Sequence, residues 1–109
     1  GETPHEACMR EVREELGIEP SIGRLLLTAW TRSSEIGDRI YFIFDGGVLD
    51  SRTRTVISLD RQELSEHGFF SATEAPRRLP FWLAGLVSTA MQSGADGTSR
   101  YVELTLTPR

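Results

Sequence analysis

The chain has 109 residues, 39% of them hydrophobic and 26% charged, the balance of one ordinary globular domain or part of one. A formal net charge of −4 and the lack of any basic run argue against a nucleic-acid partner held by phosphate neutralisation. The single cysteine, Cys8, excludes an internal disulfide and suits a reducing, cytoplasmic setting, and no apolar stretch approaches membrane-spanning length.

The first predicted element is a helix with both ends marked. Thr3 reads as the N-cap, Pro4 as the first helical residue and Glu6 as the third, so Thr3-Pro4-His5-Glu6 fits a capping box. Gly17 sits where a left-handed residue would end the helix, and Pro20 prevents its resumption. At about 100° per residue, Cys8, Met9, Val12 and Leu16 form an apolar stripe expected to face a core, with Cys8 a packed rather than reactive thiol. Glu6, Arg10 and Arg13 fall in a mixed-charge sector facing solvent. Glu11, Glu14 and Glu15 share an arc beside the apolar stripe, with no neutralising partner for the arc as a whole. Like charges at this spacing cost a helix roughly 0.2–0.5 kcal/mol per pair, and a divalent cation is the natural compensation. The plainer alternative is a solvated face held by Glu6–Arg10 and Arg10–Glu14 pairs. His5, in the first turn, is expected to be solvated.

Leu25 to Trp30 reads as a strand, and Thr31 to Arg39 as a polar connection. Ile40-Tyr41-Phe42-Ile43-Phe44 is apolar at every position, which predicts a central strand covered on both faces. Asp45-Gly46-Gly47 stops or bulges it. Val56 to Leu59 is a weaker strand candidate. Gly68-Phe69-Phe70 leads into Ser71-Ala72-Thr73-Glu74, a second capping box opening a short helix that Pro76 limits. Leu79, Leu83, Leu86, Val87, Ala90 and Met91 recur at helical spacing and predict a core-covering helix with Gly94 as its C-cap. Val102, Leu104 and Leu106 alternate with Glu103, Thr105 and Thr107, the pattern of a half-exposed final strand. Trp30 and Trp82 could stack on a base, but packing is the expectation for both. Strands interleaved with two substantial helices predict an α/β domain with helices on the faces of a mixed sheet.

Glu2, Arg10-Glu11, Val12, Glu14-Glu15, Gly17 and Ile18 together resemble the Nudix box, G-x5-E-x7-R-E-U-x-E-E-x-G-U with U a bulky aliphatic. Every specified position matches at the correct spacing except the opening glycine, which would lie before residue 1. The chain therefore starts inside the motif and reads as a segment, a partial Nudix domain spanning 1–109 that lacks the strands usually found before the box. Downstream, Phe42 to Leu49 and Glu63-Leu64-Ser65-Glu66 before Phe69-Phe70 extend the likeness to bacterial Nudix hydrolases, although only the box is specific.

The resemblance implies an N-terminally truncated Nudix α/β/α sandwich with a mixed sheet. It implies metal-dependent hydrolysis of a phosphoanhydride in a nucleoside diphosphate linked to another moiety, a small-molecule pyrophosphohydrolase. The alternative is a catalytically incompetent Nudix-like binding module or an inert fragment. Position by position, Glu14 and Glu15 match the metal-binding pair, and Glu11 matches the residue that binds metal or activates the water. Arg10 matches the arginine that orients that glutamate, and Glu2 is a secondary contributor. Hard carboxylate oxygens suit Mg²⁺ or Mn²⁺. A further loop carboxylate is expected at Glu66, with Glu63 and His67 as weaker candidates whose plain reading is exposed surface. Without the preceding strands the sheet would present an unpaired edge, which leaves a homodimer open.

Overall fold

The computed structural model describes residues 1–50, 52–53 and 75–107. In chain order these form α1 (Pro4–Leu16), β1 (Leu25–Ser33), β2 (Arg39–Phe44), a 3-10 turn (Ala75–Arg78), α2 (Phe81–Asp96) and β3 (Arg100–Leu106). The predicted strand at Val56–Leu59, the Gly68–Phe70 segment and the capping box at Ser71–Glu74 lie outside the described residues. The chain divides into two compact units, Gly1–Gly23 with Gly46–Phe69, and Arg24–Asp45 with Phe70–Arg109.

The second unit is built on a three-stranded mixed sheet in the order β2-β1-β3. β1 runs antiparallel to β2, with Trp30 opposite Ile40 and Thr28 opposite Phe42. It runs parallel to β3, with Trp30 opposite Glu103 and Thr28 opposite Tyr101. Alternation along β1 separates two faces. Leu27, Ala29, Thr31 and Ser33 point to one face and are buried. There Leu26, Leu27 and Ala29 form a core with Leu86 and Ala90 of α2, flanked by Tyr41, Ile43, Trp82, Leu83, Val102 and Leu104. Trp82 packs on Tyr41 with ring centroids 5.5 Å apart. Thr28, Trp30, Arg32, Ile40, Phe42, Tyr101, Glu103 and Thr105 alternate onto the opposite face, where all but the half-buried Thr28 are exposed. This mixed α/β arrangement is the expected fold class.

Several expectations are corrected. β1, not β2, is the central strand among the described residues, and β2 pairs on one side only. Ile40 and Phe42 are accordingly 48% and 42% exposed; an unbroken apolar run does not distinguish a strand with two covered faces from one with a single covered face. β1 also continues through Thr31 to Ser33, residues expected to be loop. Burial of these polar groups is compatible with a strand because each is satisfied. Thr31 Oγ1 donates to Arg39 O, and Ser33 Oγ accepts from the backbone N–H groups of Glu35 and Ile36 at 3.3 Å each. Pro76 lies within the 3-10 turn, and the residues expected to open a short helix before it are outside the described ones. The second helix passes through Gly94 and ends at Gly97, whose φ of 74° is left-handed and whose N–H reaches Ser93 O.

The C-terminal end of α2 is tied to the sheet by two arginines. The Arg24 guanidinium donates to the carbonyl of Ser93 in the last helical turn and to that of Thr98 just beyond the C-cap. Arg100 bonds Ser93 Oγ at 3.0 Å and pairs with Asp96. That pairing, with Thr98 also donating to the carboxylate, holds the Asp96 pKa down at about 2.

Candidate functional site

The candidate residues ride on α1, and the helix is fixed at both ends. Thr3 Oγ1 accepts from the Glu6 N–H at 3.1 Å, and Glu6 Oε1 accepts from the Thr3 N–H at 3.2 Å. This closes the capping box and draws the Glu6 carboxyl below its ordinary pKa. At the other end, Gly17 adopts φ 69° and its N–H donates to Arg13 O at 3.1 Å. Met9, Val12, Leu16 and Cys8 are all half-buried, and no residue of the helix is fully buried. Burial, then the negative charge of Glu11, pushes the Cys8 thiol pKa up, which disfavours the reactive thiolate. His5 is not simply solvated: its Nε2 donates to Ile22 O at 3.0 Å, fastening the chain beyond the helix to its first turn.

Arg10 is the hub of the charged side chains. Its Nε donates to both carboxylate oxygens of Glu2, at 3.1 and 2.9 Å. Nη1 donates to Glu14 Oε2 at 3.1 Å, and Nη2 lies 3.9 Å from Glu11 Oε1. The hydrogen bond that Arg10 donates to Glu2, then the charges of Glu2 and Glu14, raise the Arg10 pKa. One cation thus serves three of the carboxylates assigned from the sequence, so the acidic arc is less isolated than its spacing implies. The Glu6–Arg10 pair of the plainer reading does not form, because Glu6 is committed to Thr3. Arg13 instead grips Glu19 through Nε and Nη2, at 2.6 to 3.2 Å, a partner that helical spacing could not suggest because Glu19 lies beyond the C-cap.

Glu15 is half-buried and makes no ion pair or hydrogen bond among the described residues. Glu11 and Glu14 have side chains 59% and 53% exposed. Glu11, Glu14 and Glu15 share the predicted arc, yet among the described residues no three His, Cys, Asp or Glu side chains gather closely enough to hold a metal ion. Arg10 accounts for part of this, since it draws the Glu14 carboxylate toward itself. The donor set still fits a hard divalent cation, being made only of carboxylate oxygens on adjoining helical turns. Glu63, Glu66 and His67 lie outside the described residues.

In the second unit, an open groove of about 550 Å³ runs between β1 and β3, lined by Trp30, Arg32, Tyr101, Glu103, Leu104 and Thr105. Alternation marks Tyr101, Glu103 and Thr105 as sharing a face. Their pairing with Trp30 and Arg32 depends on parallel register across some seventy residues of chain, which no local pattern encodes.

Among the described residues no helix is long and apolar enough to cross a membrane. The family model described as NUDIX domain matches residues 1–89. No curated protein and no solved structure gave a significant match to the chain.

Proposed function

The chain belongs to the Nudix family, and from that premise we propose that it cleaves a phosphoanhydride in a nucleoside diphosphate linked to another moiety, with Mg²⁺ or Mn²⁺ held by Glu11, Glu14 and Glu15. Nudix domains are hydrolases of small nucleoside diphosphate derivatives and generally use divalent metal ions. The chain crosses between its two compact units more than once, at residues 23–24, 45–46 and 69–70. That supports reading 1–109 as a single, partial Nudix domain, since independently folding domains are ordinarily contiguous. A cytoplasmic setting fits the lone half-buried thiol.

The reading is carried by the Glu2–Arg10–Glu14 bridge on a doubly capped helix, with Glu11 and Glu15 beside it. When bound, the cation supplies positive charge to the pyrophosphate and makes an adjacent water more acidic. Glu11 accepts a proton from the attacking water. Arg10 is a positioning residue, acting through the carboxylates it grips. The resemblance assigns the further carboxylate to Glu66, outside the described residues. A homodimer is compatible with this scheme but no step requires one.

One observation favours a second reading, a Nudix-derived binding module without turnover: no three-donor cluster is formed among the described residues. Calorimetric titration with Mg²⁺ and Mn²⁺ addresses the metal site, and pyrophosphate-bond cleavage across dinucleotides, ADP-ribose and oxidised nucleoside triphosphates addresses turnover. A saturable metal site lost in Glu14→Gln, with cleavage of at least one substrate, is expected. Metal binding without any cleavage favours the module, and an absence of metal binding rejects the proposed site.

A further inference from the structure

The two tryptophans have opposite surroundings. Trp82 is packed against Tyr41 in the core, whereas Trp30 is 37% exposed on the other face of the sheet. It stands directly opposite Glu103 and one alternation from Tyr101, itself 59% exposed. Exposed aromatic side chains on neighbouring strands have a hydration cost that a planar ligand relieves. The polar groups beside them are equally specific. Arg32 makes no ion pair or hydrogen bond among the described residues, and it lines the same groove. Tyr101 donates to Glu103 Oε2 at 2.8 Å, which steadies that carboxylate and leaves Oε1 to accept another donor. A π-surface, a carboxylate able to accept N–H groups and a cation unpaired among the described residues are complementary to the three parts of a nucleotide: base plane, base edge and phosphate.

We propose that this groove binds a nucleotide, with the base stacked on Trp30 and Tyr101 and a phosphate oxygen held by Arg32. The inference rests on reading the chain as a hydrolase of nucleotide derivatives, and it concerns side chains of the second unit by itself, outside the Nudix box. Stacking on an aromatic side chain contributes enough to binding that its removal weakens affinity severalfold to more than a hundredfold. Arg32 adds discrimination between a nucleotide and its nucleoside.

The test is equilibrium dialysis of the whole chain in EDTA, with AMP, GMP, CMP and UMP, the matching nucleosides, and ribose 5-phosphate. Tryptophan fluorescence of the Trp82→Phe variant, in which Trp30 is the sole tryptophan, is recorded in parallel. At least one nucleotide should bind saturably and quench Trp30, its nucleoside should bind about fivefold more weakly, and ribose 5-phosphate should not quench. Trp30→Ala should weaken the nucleotide at least about tenfold, and Arg32→Gln should remove the advantage over the nucleoside while leaving nucleoside binding unchanged. Absence of saturable binding below about 5 mM, equal binding of ribose 5-phosphate, or an unaltered affinity in Trp30→Ala overturns the proposal. Metal-dependent cleavage that persists with none of these effects overturns the groove alone. Base-dependent quenching without cleavage supports the groove and overturns the enzymatic reading.

Discussion

Leu86→Ala should cost the second unit a large part of its stability. Leu86 is 2% exposed and meets Leu26, Leu27, Ala29 and Ala90, the core between α2 and the sheet. The substitution removes three carbons, about 2.4 kcal/mol of transfer free energy at about 0.8 kcal/mol each. Two of the neighbours are alanines whose side chains are too short to collapse into the vacated space, so a cavity adds roughly another 1 kcal/mol. The total, about 3–4 kcal/mol, compares with a usual domain stability of about 5–15 kcal/mol. In urea unfolding followed by circular dichroism, a slope near 1.5 kcal/mol per molar places the expected drop in midpoint at about 2 M. Met91→Ala on the same helix is the control: Met91 is 44% exposed, and a change within about 0.5 kcal/mol is expected. A Leu86→Ala shift below about 0.5 M, or one equal to the Met91→Ala shift, would refute the assignment of this core.

Gly94→Ala should stabilise α2 by about 0.5–1 kcal/mol, because a Cβ there meets nothing within 4 Å. Gly97→Ala should instead cost about 1–2 kcal/mol, its φ of 74° being unfavourable for a side chain; thermal melts that rank the two variants the other way would reject the C-cap assignment. Thr3→Ala should lower stability by about 1 kcal/mol through loss of the cap, read as fraying of α1 amides in hydrogen exchange, and unaltered exchange would count against the capping box. The Asp96 carboxyl has a folded pKa of about 2, below its ordinary 3.8. Its stabilising contribution is therefore complete above about pH 4 and declines as pH falls toward 2, and Asp96→Asn should flatten that part of the stability–pH curve.

The elements written in short-range signals were legible. Thr3-Pro4-His5-Glu6 and Gly17 bracket α1 because caps act on neighbouring backbone groups. The alternation of Val102, Leu104 and Leu106 describes β3, whose burial alternates in the same way. What failed depended on partners distant in sequence. Ile40–Phe44 carries no mark that its strand would pair only with β1 among the described residues, and polar Thr31 and Ser33 conceal a strand because their satisfaction comes from groups placed by the β1–β2 turn. Gly94 and Gly97 are equally plausible stops by composition, and the helix takes the one whose N–H closes onto Ser93 O. At the candidate site, helical periodicity put Glu11, Glu14 and Glu15 on one arc. The same spacing offered the Arg10–Glu14 pair, which forms, but it could not indicate that Arg10 also reaches back to Glu2, since that depends on side-chain direction and on residues before the helix.

The most direct trial of the account compares pyrophosphate-bond cleavage by the protein and by its Glu14→Gln variant, with Mg²⁺ or Mn²⁺ and then with EDTA. Cleavage of at least one nucleoside diphosphate derivative that needs the cation, and that disappears in the variant while helix content is unchanged, is the predicted result. Cleavage at the parental rate by Glu14→Gln, or in EDTA, would contradict it.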